Sequence, residues 1–549
     1  MSQVFMNRRQ VIGTGLSLSA ALPLASYAFG QANSDAVEVT TANGPLRGKN
    51  EHGIVKFLGV PYAKPPVGQL RFKAPQPLEP WTEVRDAIAF GGTSIQPPDF
   101  DIGPDKRVPP VSEDCLYLNI WTPAADGRKR PVMIYNHGGG FTTGSGAREP
   151  QDGTNLAKQY DVVVVASNHR LGLLGYLFLG DIAPSGEFAA NQGMLDIAAA
   201  IKWTSDNIEN FGGDPGNIFV FGESGGGAKT AAIYAMPSAA PLYHKASVES
   251  AATLSFPTRE GATARARETL KELGIAETEI DKIYDVPTDK LLEVQAKAGG
   301  GAPWAAVQPA VPGFGAFVDG EVITQNPFLD GAPAFSADKP LIVGSTRDET
   351  VFFSMYGPPD IFSLDEAGLK PALEKAMNPA FVDEAIATFK ASRPDATPSQ
   401  IYHAITTSPI AYGSALIAEQ KVAQGAAPVY LYHLDYHSKV KIPGTDYEFG
   451  SPHASDIFLK FDNPLAFPDQ IFAQDKTPER LQTAKNMSGL WASFAHNGKP
   501  GGVDGLIEWP AYNLETRPVM SIDSTLKIIE DPEPTERELA MKVFDAGRV

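Results

Sequence analysis

A serine in a glycine-rich turn is the residue of this sequence best suited to act as a nucleophile. Residues 222–226 read GESGG, which matches the pattern G-x-S-x-G around Ser224. An apolar run at residues 217–221 precedes the turn, and an alanine-rich helical stretch at residues 228–236 follows it. This strand–turn–helix context predicts a sharp turn that exposes the serine hydroxyl at the edge of a sheet. Glycines flank the serine because larger side chains would collide there.

A second glycine motif could bind the negative charge that a nucleophilic attack creates. Residues 137–141 read HGGGF and directly follow another apolar run. Three glycines let backbone N–H groups converge on one point, and we expect those of Gly139, Gly140 and Gly225 to form an oxyanion hole. A nucleotide-binding loop is the alternative, but neither G-x-G-x-x-G nor G-x-x-x-x-G-K accompanies the motif with its expected partners.

The elements that must position these motifs are short, continuously apolar runs separated by helical patterns. Such runs are typical of parallel strands buried on both faces. Helical patterns lie at residues 192–209 and 259–273. The alternation predicts an α/β fold with a mostly parallel central sheet, flanking helices and large loop and helical insertions. The apolar runs are residues 131–135, 162–166, 217–221, 340–343 and 429–432.

A serine nucleophile needs a base and an acid, and spacing alone does not choose them. In this type of fold the order along the chain is serine, acid, histidine. Nine histidines are present. Five of them follow residue 400, namely His403, His433, His437, His453 and His496.

Further sequence blocks resemble one known family. Residues 59–68 read GVPYAKPPVG and are followed by LRF, and residues 112–119 read SEDCLYLN. The stretch from residue 202 to FGGDP at residues 211–215 then leads into the serine turn. Together with the two glycine motifs, these blocks resemble the type-B carboxylesterases, which include cholinesterases and bacterial para-nitrobenzyl esterases. The resemblance covers nearly the whole chain and implies an α/β-hydrolase fold and hydrolysis of carboxylic esters.

The same resemblance suggests the acid and the base. GSTRDE at residues 344–349 is similar to the family's GTxxDEG block, whose glutamate is the acid. This block implies Glu349, with Asp348 as the structural alternative. HASD at residues 453–456 resembles the HGxE block, which implies His453 as the base.

The implied chemistry is acyl transfer through the serine. His453 takes the proton of Ser224, Glu349 orients the imidazole, and an acyl-enzyme forms before water releases the acid. Activity should then fall as the pH drops below the pKa of His453, near ~6.5 if that pKa is unperturbed. Among the other histidines, we expect His433 to pack in the core. A solvated or capping role is the default for His403, His437 and His496.

The sequence departs from the family pattern at several positions without losing a reacting group. Cys115 is the single cysteine, so the family's usual disulfide to the region of residues 94–96 cannot form. The loop between them is therefore not stapled. Four further positions differ: Gly225 replaces an alanine, Thr350 replaces a glycine, and Ala454 and Asp456 replace glycine and glutamate.

The N-terminus predicts export. Arg8 and Arg9 precede a weakly apolar run at residues 11–29, which resembles a twin-arginine signal. An uncleaved membrane anchor is the alternative reading. We expect residues 1–32 to be a signal peptide and residues 33–549 to form a single hydrolase domain in the periplasm or outside the cell.

Composition limits the partners. A net charge of −18 disfavours nucleic acid and anionic lipid. One cysteine excludes a thiolate-rich metal site, and no cofactor is expected. A small ester is the expected partner, stable membrane association is not expected, and the oligomeric state stays open.

The alternatives to an esterase are an amidase or a non-catalytic binding or adhesion protein of the same fold. Several aromatic residues could line an apolar gorge or belong to the core, namely Phe141, Trp304, Phe314, Phe317 and Phe353.

Overall fold

The computed structural model describes residues 35–97, 107–183, 186–298, 313–503 and 505–546. The predicted signal peptide and Trp304 lie outside the described residues. The strands are β1 Ala36–Thr40, β2 Pro45–Glu51, β3 Ile54–Pro61, β4 Arg85–Asp86, β5 Thr93–Ser94, β6 Val111–Ser112, β7 Tyr117–Thr122, β8 Arg130–Asn136, β9 Val163–Ser167, β10 Gly213–Glu223, β11 Lys245–Glu249, β12 Leu341–Thr346, β13 Val429–Leu434, β14 Ser438–Lys441, β15 Glu448–Gly450, β16 Pro518–Ile522 and β17 Lys527–Glu530.

Helices connect most of the later strands. They are α1 Thr154–Tyr160, α2 Gly172–Tyr176, α3 Gln192–Asn207, α4 Gly225–Tyr234, α5 Arg259–Leu273, α6 Thr288–Lys297, α7 Glu349–Ser354, α8 Glu366–Ala376, α9 Val382–Ser392, α10 Pro398–Gln424, α11 Ser455–Lys460, α12 Pro478–Asn497 and α13 Pro534–Ala546. Among the described residues, no helix is both long enough and apolar enough to cross a membrane.

One large sheet organises the molecule. Its strand order is β1-β2-β3-β7-β9-β8-β10-β11-β12-β13-β16-β17, and β4 pairs with β2. The seven strands from β9 to β16 in this order run parallel, while antiparallel pairs form both flanks. The predicted fold, a mostly parallel sheet flanked by helices, is confirmed.

The apolar runs are continuous because both faces of the central strands are covered. In β10, Ile218 and Val220 belong to the core on one face, and Phe219 and Phe221 belong to the core on the other. Side chains of a strand alternate between faces, so a strand covered on both sides needs apolar residues throughout. A third, smaller cluster joins α8, α9, α10 and α13 away from the sheet.

The parallel strands deliver the sequence motifs to one edge. The carboxyl ends of β8, β10 and β12 lead into the HGGGF loop, the serine turn and the segment containing Glu349. Gly222 pairs with Asn136 across β10 and β8, which places the start of the glycine loop beside the serine turn. Ligand sites in such sheets form at this edge.

Candidate active site

Ser224 occupies a strained turn between β10 and α4. Its backbone has φ 58° and ψ −124°, a conformation that side-chain-bearing residues rarely adopt. The turn is held by a hydrogen bond from the Ser224 N–H to the Glu249 carbonyl, 2.9 Å long. Strain of this kind persists only where the surrounding structure enforces it.

Glycines are sterically required around this turn. A Cβ atom at Gly226 would lie 1.9 Å from the Asn136 carbonyl oxygen, and one at Gly222 would lie 2.5 Å from the Gly226 backbone. At Gly225 a Cβ would lie 2.3 Å from the Gly140 nitrogen, so the glycine loop fills the space that an alanine methyl would occupy. Both glycine motifs therefore pack directly against each other.

The glycine loop bends through two left-handed residues. Gly139 has φ 85° and Gly140 has φ 58°. The Gly139 carbonyl accepts hydrogen bonds from Thr143, through its N–H at 3.0 Å and its hydroxyl at 3.1 Å. Within the described part of the chain, the N–H groups of Gly139 and Gly140 donate to no other residue. Both donors are thus available to a ligand next to Ser224.

The structure brings Glu349 and His453 together. Glu349 Oε2 lies 2.5 Å from His453 Nδ1, and its Oε1 accepts the Thr346 N–H at 2.8 Å. Both side chains are buried. A carboxylate on Nδ1 fixes the imidazole with Nε2 directed away from it, which is the orientation a general base needs.

Asp348 has a different role in the local structure. Its Oδ2 accepts the Ser451 N–H at 2.9 Å, and its own N–H donates to the Ser451 carbonyl at 2.9 Å. Ser451 precedes His453 by two residues. Asp348 therefore fixes the segment that contains the histidine, whereas Glu349 contacts the imidazole itself.

A second carboxylate faces the other nitrogen of the same ring. Glu223 Oε1 lies 3.2 Å from His453 Nε2. Burial alone would lower the pKa of His453, but the charges of Glu223 and Glu349 outweigh it and raise the pKa to about 9. Burial also raises the pKa of Glu223. The value near ~6.5, expected for an unperturbed imidazole, therefore does not apply beside the second carboxylate.

The serine–histidine hydrogen bond is not formed in this geometry. Among the described residues, His453 Nε2 has no hydrogen-bond partner. Such bonds are often long or misaligned before substrate binds and tighten afterwards.

A buried ion cluster lies behind the histidine. Lys460 forms ion pairs with Glu249 and with Asp456, the latter at 3.1 Å, and all three side chains are fully buried. Trp491 donates its indole N–H to Glu249 at 2.6 Å. Burial raises the pKa of Glu249 against the opposing charge of Lys460. Asp456, which stands where the family has a glutamate, thus pairs with the cation Lys460.

The remaining histidines only partly match expectation. His433 lies in β13 as predicted but is half-buried and lines a polar cavity, so its placement in the core is wrong. His403 is buried against Phe362, and burial lowers its pKa to about 3, which contradicts a solvated role. His437 is exposed and contacts Glu448 at 2.8 Å, and His496 contacts the Tyr160 carbonyl at 2.8 Å.

The aromatic candidates divide between core and site. Phe317 and Phe314 are buried, and Phe317 packs on Phe178 in the core. Phe353 lies 4.8 Å from the His453 ring, centroid to centroid, and lines a cavity of about 1010 Å³. Phe141, at the end of the glycine loop, packs edge-on against Tyr176 at 5.1 Å.

The cavity beside Phe353 is largely apolar. It begins at Ala252 and Leu254 after β11 and extends between helices α8, α10 and α13. Its size is at the upper end of the range common for small-molecule sites.

The segment without the family's disulfide is held by hydrogen bonds. Cys115 is buried and free, and burial raises its pKa to about 12. Gln96, near the missing partner, makes two hydrogen bonds to Gly144, through its Nε2 at 2.9 Å and its Oε1 at 2.8 Å. Residues 98–106 of the intervening loop lie outside the described residues.

Sequence reasoning missed three charged residues at this site. Glu223 lies inside the serine motif, Lys229 lies in the alanine-rich stretch after it, and Lys460 interrupts the apolar stretch after His453. A charged residue inside an otherwise small or apolar segment was the available signal, because such residues are rarely buried without a partner or a purpose.

The fold and the serine turn define the class. A mostly parallel sheet with a strained strand–serine–helix turn and a glycine loop at its carboxyl edge is that of an α/β-hydrolase. The chain matches the family model described as "Carboxylesterase family" over residues 35–540. The chain belongs to this family and is a carboxylic-ester hydrolase of the serine type.

Individual relatives agree with this membership. Over 504 residues the chain is 36% identical to the para-nitrobenzyl esterase of Bacillus subtilis (strain 168), covering 91% of this chain and 97% of that one. It is 31% identical to the phenmedipham hydrolase of Pseudarthrobacter oxydans, covering 88% and 94%. The crystal structure of a Geobacillus stearothermophilus carboxylesterase superposes with a TM-score of 0.78 at 34% identity, covering 91% and 99%.

Proposed function

We propose that this protein hydrolyses carboxylic esters with Ser224 as nucleophile, His453 as base and Glu349 as acid. The observation that carries the proposal is the contact of 2.5 Å between Glu349 and His453 at the edge where the Ser224 turn lies. The N–H groups of Gly139, Gly140 and Gly225 form the oxyanion hole.

The reaction proceeds in two halves. Ser224 Oγ attacks the ester carbonyl carbon while its proton passes to His453 Nε2, and the three N–H groups bind the oxyanion. The imidazolium then protonates the leaving alcohol, and an acyl-enzyme remains. Water attacks that acyl group by the same route, and the free acid leaves as Ser224 recovers its proton.

Glu223 adds one condition to this cycle. His453 Nε2 can accept the serine proton only when it carries no proton itself. This holds when the proton shared by Glu223 and His453 lies on the Glu223 carboxyl group, or when the pair has lost that proton. Burial raises the pKa of Glu223, so the pair holds one proton between its two members and releases it only as the pH rises.

The substrate class follows from the cavity beside Phe353. Phe353 contacts the imidazole on one side and lines the apolar cavity of about 1010 Å³ on the other. We infer that the cavity holds an apolar acyl or alcohol group, so esters with a bulky or medium-length apolar part are the favoured substrates. The relatives named for para-nitrobenzyl esters and for phenmedipham are consistent with this preference.

The test is hydrolysis of p-nitrophenyl esters from acetate to octanoate by the wild type and by Ser224→Ala. We expect kcat/KM to rise with acyl length and to fall by about 10³-fold or more in the variant. Matched anilides distinguish the esterase from the alternative amidase, since the esterase cleaves them far more slowly. Equal rates in both proteins, or a preference for the anilides, would overturn the proposal.

We further propose that residues 1–32 direct export through a twin-arginine pathway and that residues 33–549 form one domain. The proposal rests on Arg8, Arg9 and the weakly apolar run that follows. Fractionation of cells that express the wild type or the pair Arg8→Lys, Arg9→Lys tests it. Export and N-terminal processing should be lost in the variant. Unprocessed wild-type protein inside the cell would contradict it.

A further inference from the structure

A buried lysine lies directly beneath the glycine loop. Lys229 belongs to α4, five residues after Ser224, and its side chain is fully buried. Its Nζ donates a hydrogen bond of 2.8 Å to the His137 carbonyl, at the start of the loop. The same ammonium group lies 5.9 Å from the centroid of the Phe141 ring, at the end of the loop. Lys229 thus contacts both ends of the segment between His137 and Phe141.

The surroundings of Lys229 are unusual for a buried cation. Within the described part of the chain no carboxylate pairs with Lys229, and burial lowers its pKa to about 7. The titratable groups that face it are His137 and His169, whose rings stack at 4.6 Å and whose own pKa values burial and Lys229 keep low. A buried cation without a counter-charge lowers the stability of the fold. Its presence here therefore indicates a role other than stabilisation.

A second buried lysine of the same molecule has a different environment. Lys421 is also fully buried, and burial lowers its pKa to about 8. Its ammonium group, however, has three acceptors, the carbonyls of Ser336 and Ala337 and the amide oxygen of Gln424. Lys421 is thus well satisfied, whereas the described contacts of Lys229 are concentrated on the glycine loop.

The loop needs an external anchor because of its own composition. Residues 138–140 are glycines, whose backbone dihedrals are the least restricted of all residues. A change of the His137 peptide plane would therefore be transmitted through Gly138 toward the N–H groups of Gly139 and Gly140. Stacking of His137 on His169 and the bond from Lys229 to its carbonyl fix that first peptide on two sides.

We propose that Lys229 is a positioning residue of the oxyanion hole, which it orients by holding the carbonyl of His137. This inference rests on the proposed function of Ser224 and the glycine loop. Because Lys229 acts on the loop that binds the oxyanion and not on the ground-state ester, its removal changes transition-state stabilisation more than substrate binding.

The test compares Lys229→Met with the wild type, with Lys421→Met as the matched control. Methionine keeps the length and apolar stem and removes the donor. We expect kcat for a p-nitrophenyl ester to fall by about tenfold to a hundredfold, with KM changed by less than about threefold. Lys421→Met should keep its kcat, since the hydrogen bonds of Lys421 go to Ser336, Ala337 and Gln424, none of which belongs to the proposed site. Rates are expressed per reactive serine, titrated with a fluorophosphonate.

The affinity for a transition-state analogue distinguishes a role in orienting the oxyanion hole from a merely structural role. An alkyl trifluoromethyl ketone reacts with Ser224, whose Oγ adds to the carbonyl carbon while its proton passes to His453, and the oxyanion enters the hole. Its affinity should fall in Lys229→Met by the same factor as kcat/KM. The affinity for the matching unreactive alcohol should stay within about twofold.

The outcomes separate the two proposals. A wild type that neither hydrolyses esters nor reacts with the fluorophosphonate refutes the proposed function itself. A reactive wild type with an unchanged kcat and ketone affinity in Lys229→Met refutes only the role of Lys229. If Lys229→Met does not fold, Lys229→Leu, which also removes the donor, is measured by the same ratio of ketone to alcohol affinity. An unchanged ratio there also overturns the proposal.

Discussion

His453 lies between two carboxylates, with Nδ1 2.5 Å from Glu349 Oε2 and Nε2 3.2 Å from Glu223 Oε1. The second contact involves the nitrogen that must receive the serine proton. Because both negative charges favour the imidazolium, the pKa of His453 is raised to about 9 although burial opposes this. We therefore expect the protonation state of Glu223 to determine whether His453, the proposed base, is free.

The first prediction concerns the pH dependence. Only neutral His453 accepts a proton, so activity is present above its pKa and is lost as the pH falls through it. We expect the acid limb of kcat/KM to lie clearly above the ordinary histidine value of about 6.5. Glu223→Gln removes a stabilising charge from the imidazolium, so the limb should move down by about one pH unit or more.

Profiles between about pH 5 and pH 10 with one p-nitrophenyl ester measure this limb. The control is Glu508→Gln, which alters the exposed ion pair of 2.5 Å between Glu508 and Lys499 and involves no residue of the proposed site. A wild-type limb at the ordinary value that Glu223→Gln does not move would show that Glu223 does not control His453.

The second prediction concerns the acid. Glu349→Gln keeps the shape of the side chain but removes the negative charge that faces His453 Nδ1. We expect kcat to fall by about 10³- to 10⁴-fold. Asp348→Asn retains an oxygen for the Ser451 N–H and should reduce kcat by about tenfold or less. Steady-state kinetics of the two variants, at equal concentrations of reactive serine, decide between the residues. A larger loss in Asp348→Asn would reverse the assignment.

The third prediction concerns Gly225. An alanine methyl there would lie 2.3 Å from the Gly140 nitrogen, so the glycine loop must move. We expect Gly225→Ala to lower kcat by about tenfold to a hundredfold with little change in KM. Gly127→Ala is the control, because no atom lies within 4 Å of its added Cβ. If Gly225→Ala turns over esters at the wild-type rate, the loop does not depend on this close contact.

The fourth prediction concerns stability. Lys460→Met leaves the buried carboxylates of Glu249 and Asp456 without their cation, which should cost about 3–5 kcal/mol of the free energy of unfolding. Adding Glu249→Gln removes one uncompensated charge and should restore part of that loss. Urea unfolding and Tm at neutral pH measure both variants. A loss below about 1 kcal/mol in the single variant would mean that the carboxylates are already protonated.

Much of the fold was predictable because buried parallel strands have an unmistakable pattern. Five apolar runs predicted five strands of the parallel region, and helix α5 spans the residues predicted for it, Arg259–Leu273. Strand β11 was missed because its sequence KASVE is polar. It is nevertheless fully buried, since Glu249 at its end pairs with Lys460 and Trp491 from distant segments.

The candidate site was predictable to the extent that local motifs define it. The serine turn and the glycine loop follow from spacing and flanking elements, whereas Glu349 and His453 required the family resemblance. Glu223 could not be assigned, because its contact with His453 depends on how a segment 230 residues later folds back. Lys229 and His403 were missed for the same reason, since burial is a tertiary property that neither motif reveals.

The central claim is that Ser224 carries the acyl group during turnover, and trapping that intermediate tests it most directly. The enzyme is mixed with a p-nitrophenyl ester, quenched in acid during turnover and digested. The masses of the resulting peptides are then measured by mass spectrometry. We expect that the peptide containing Ser224 gains the mass of the acyl group, that one p-nitrophenolate per enzyme is released in the burst, and that Ser224→Ala shows neither. An acyl group on another residue, or turnover that survives in Ser224→Ala, would contradict the account.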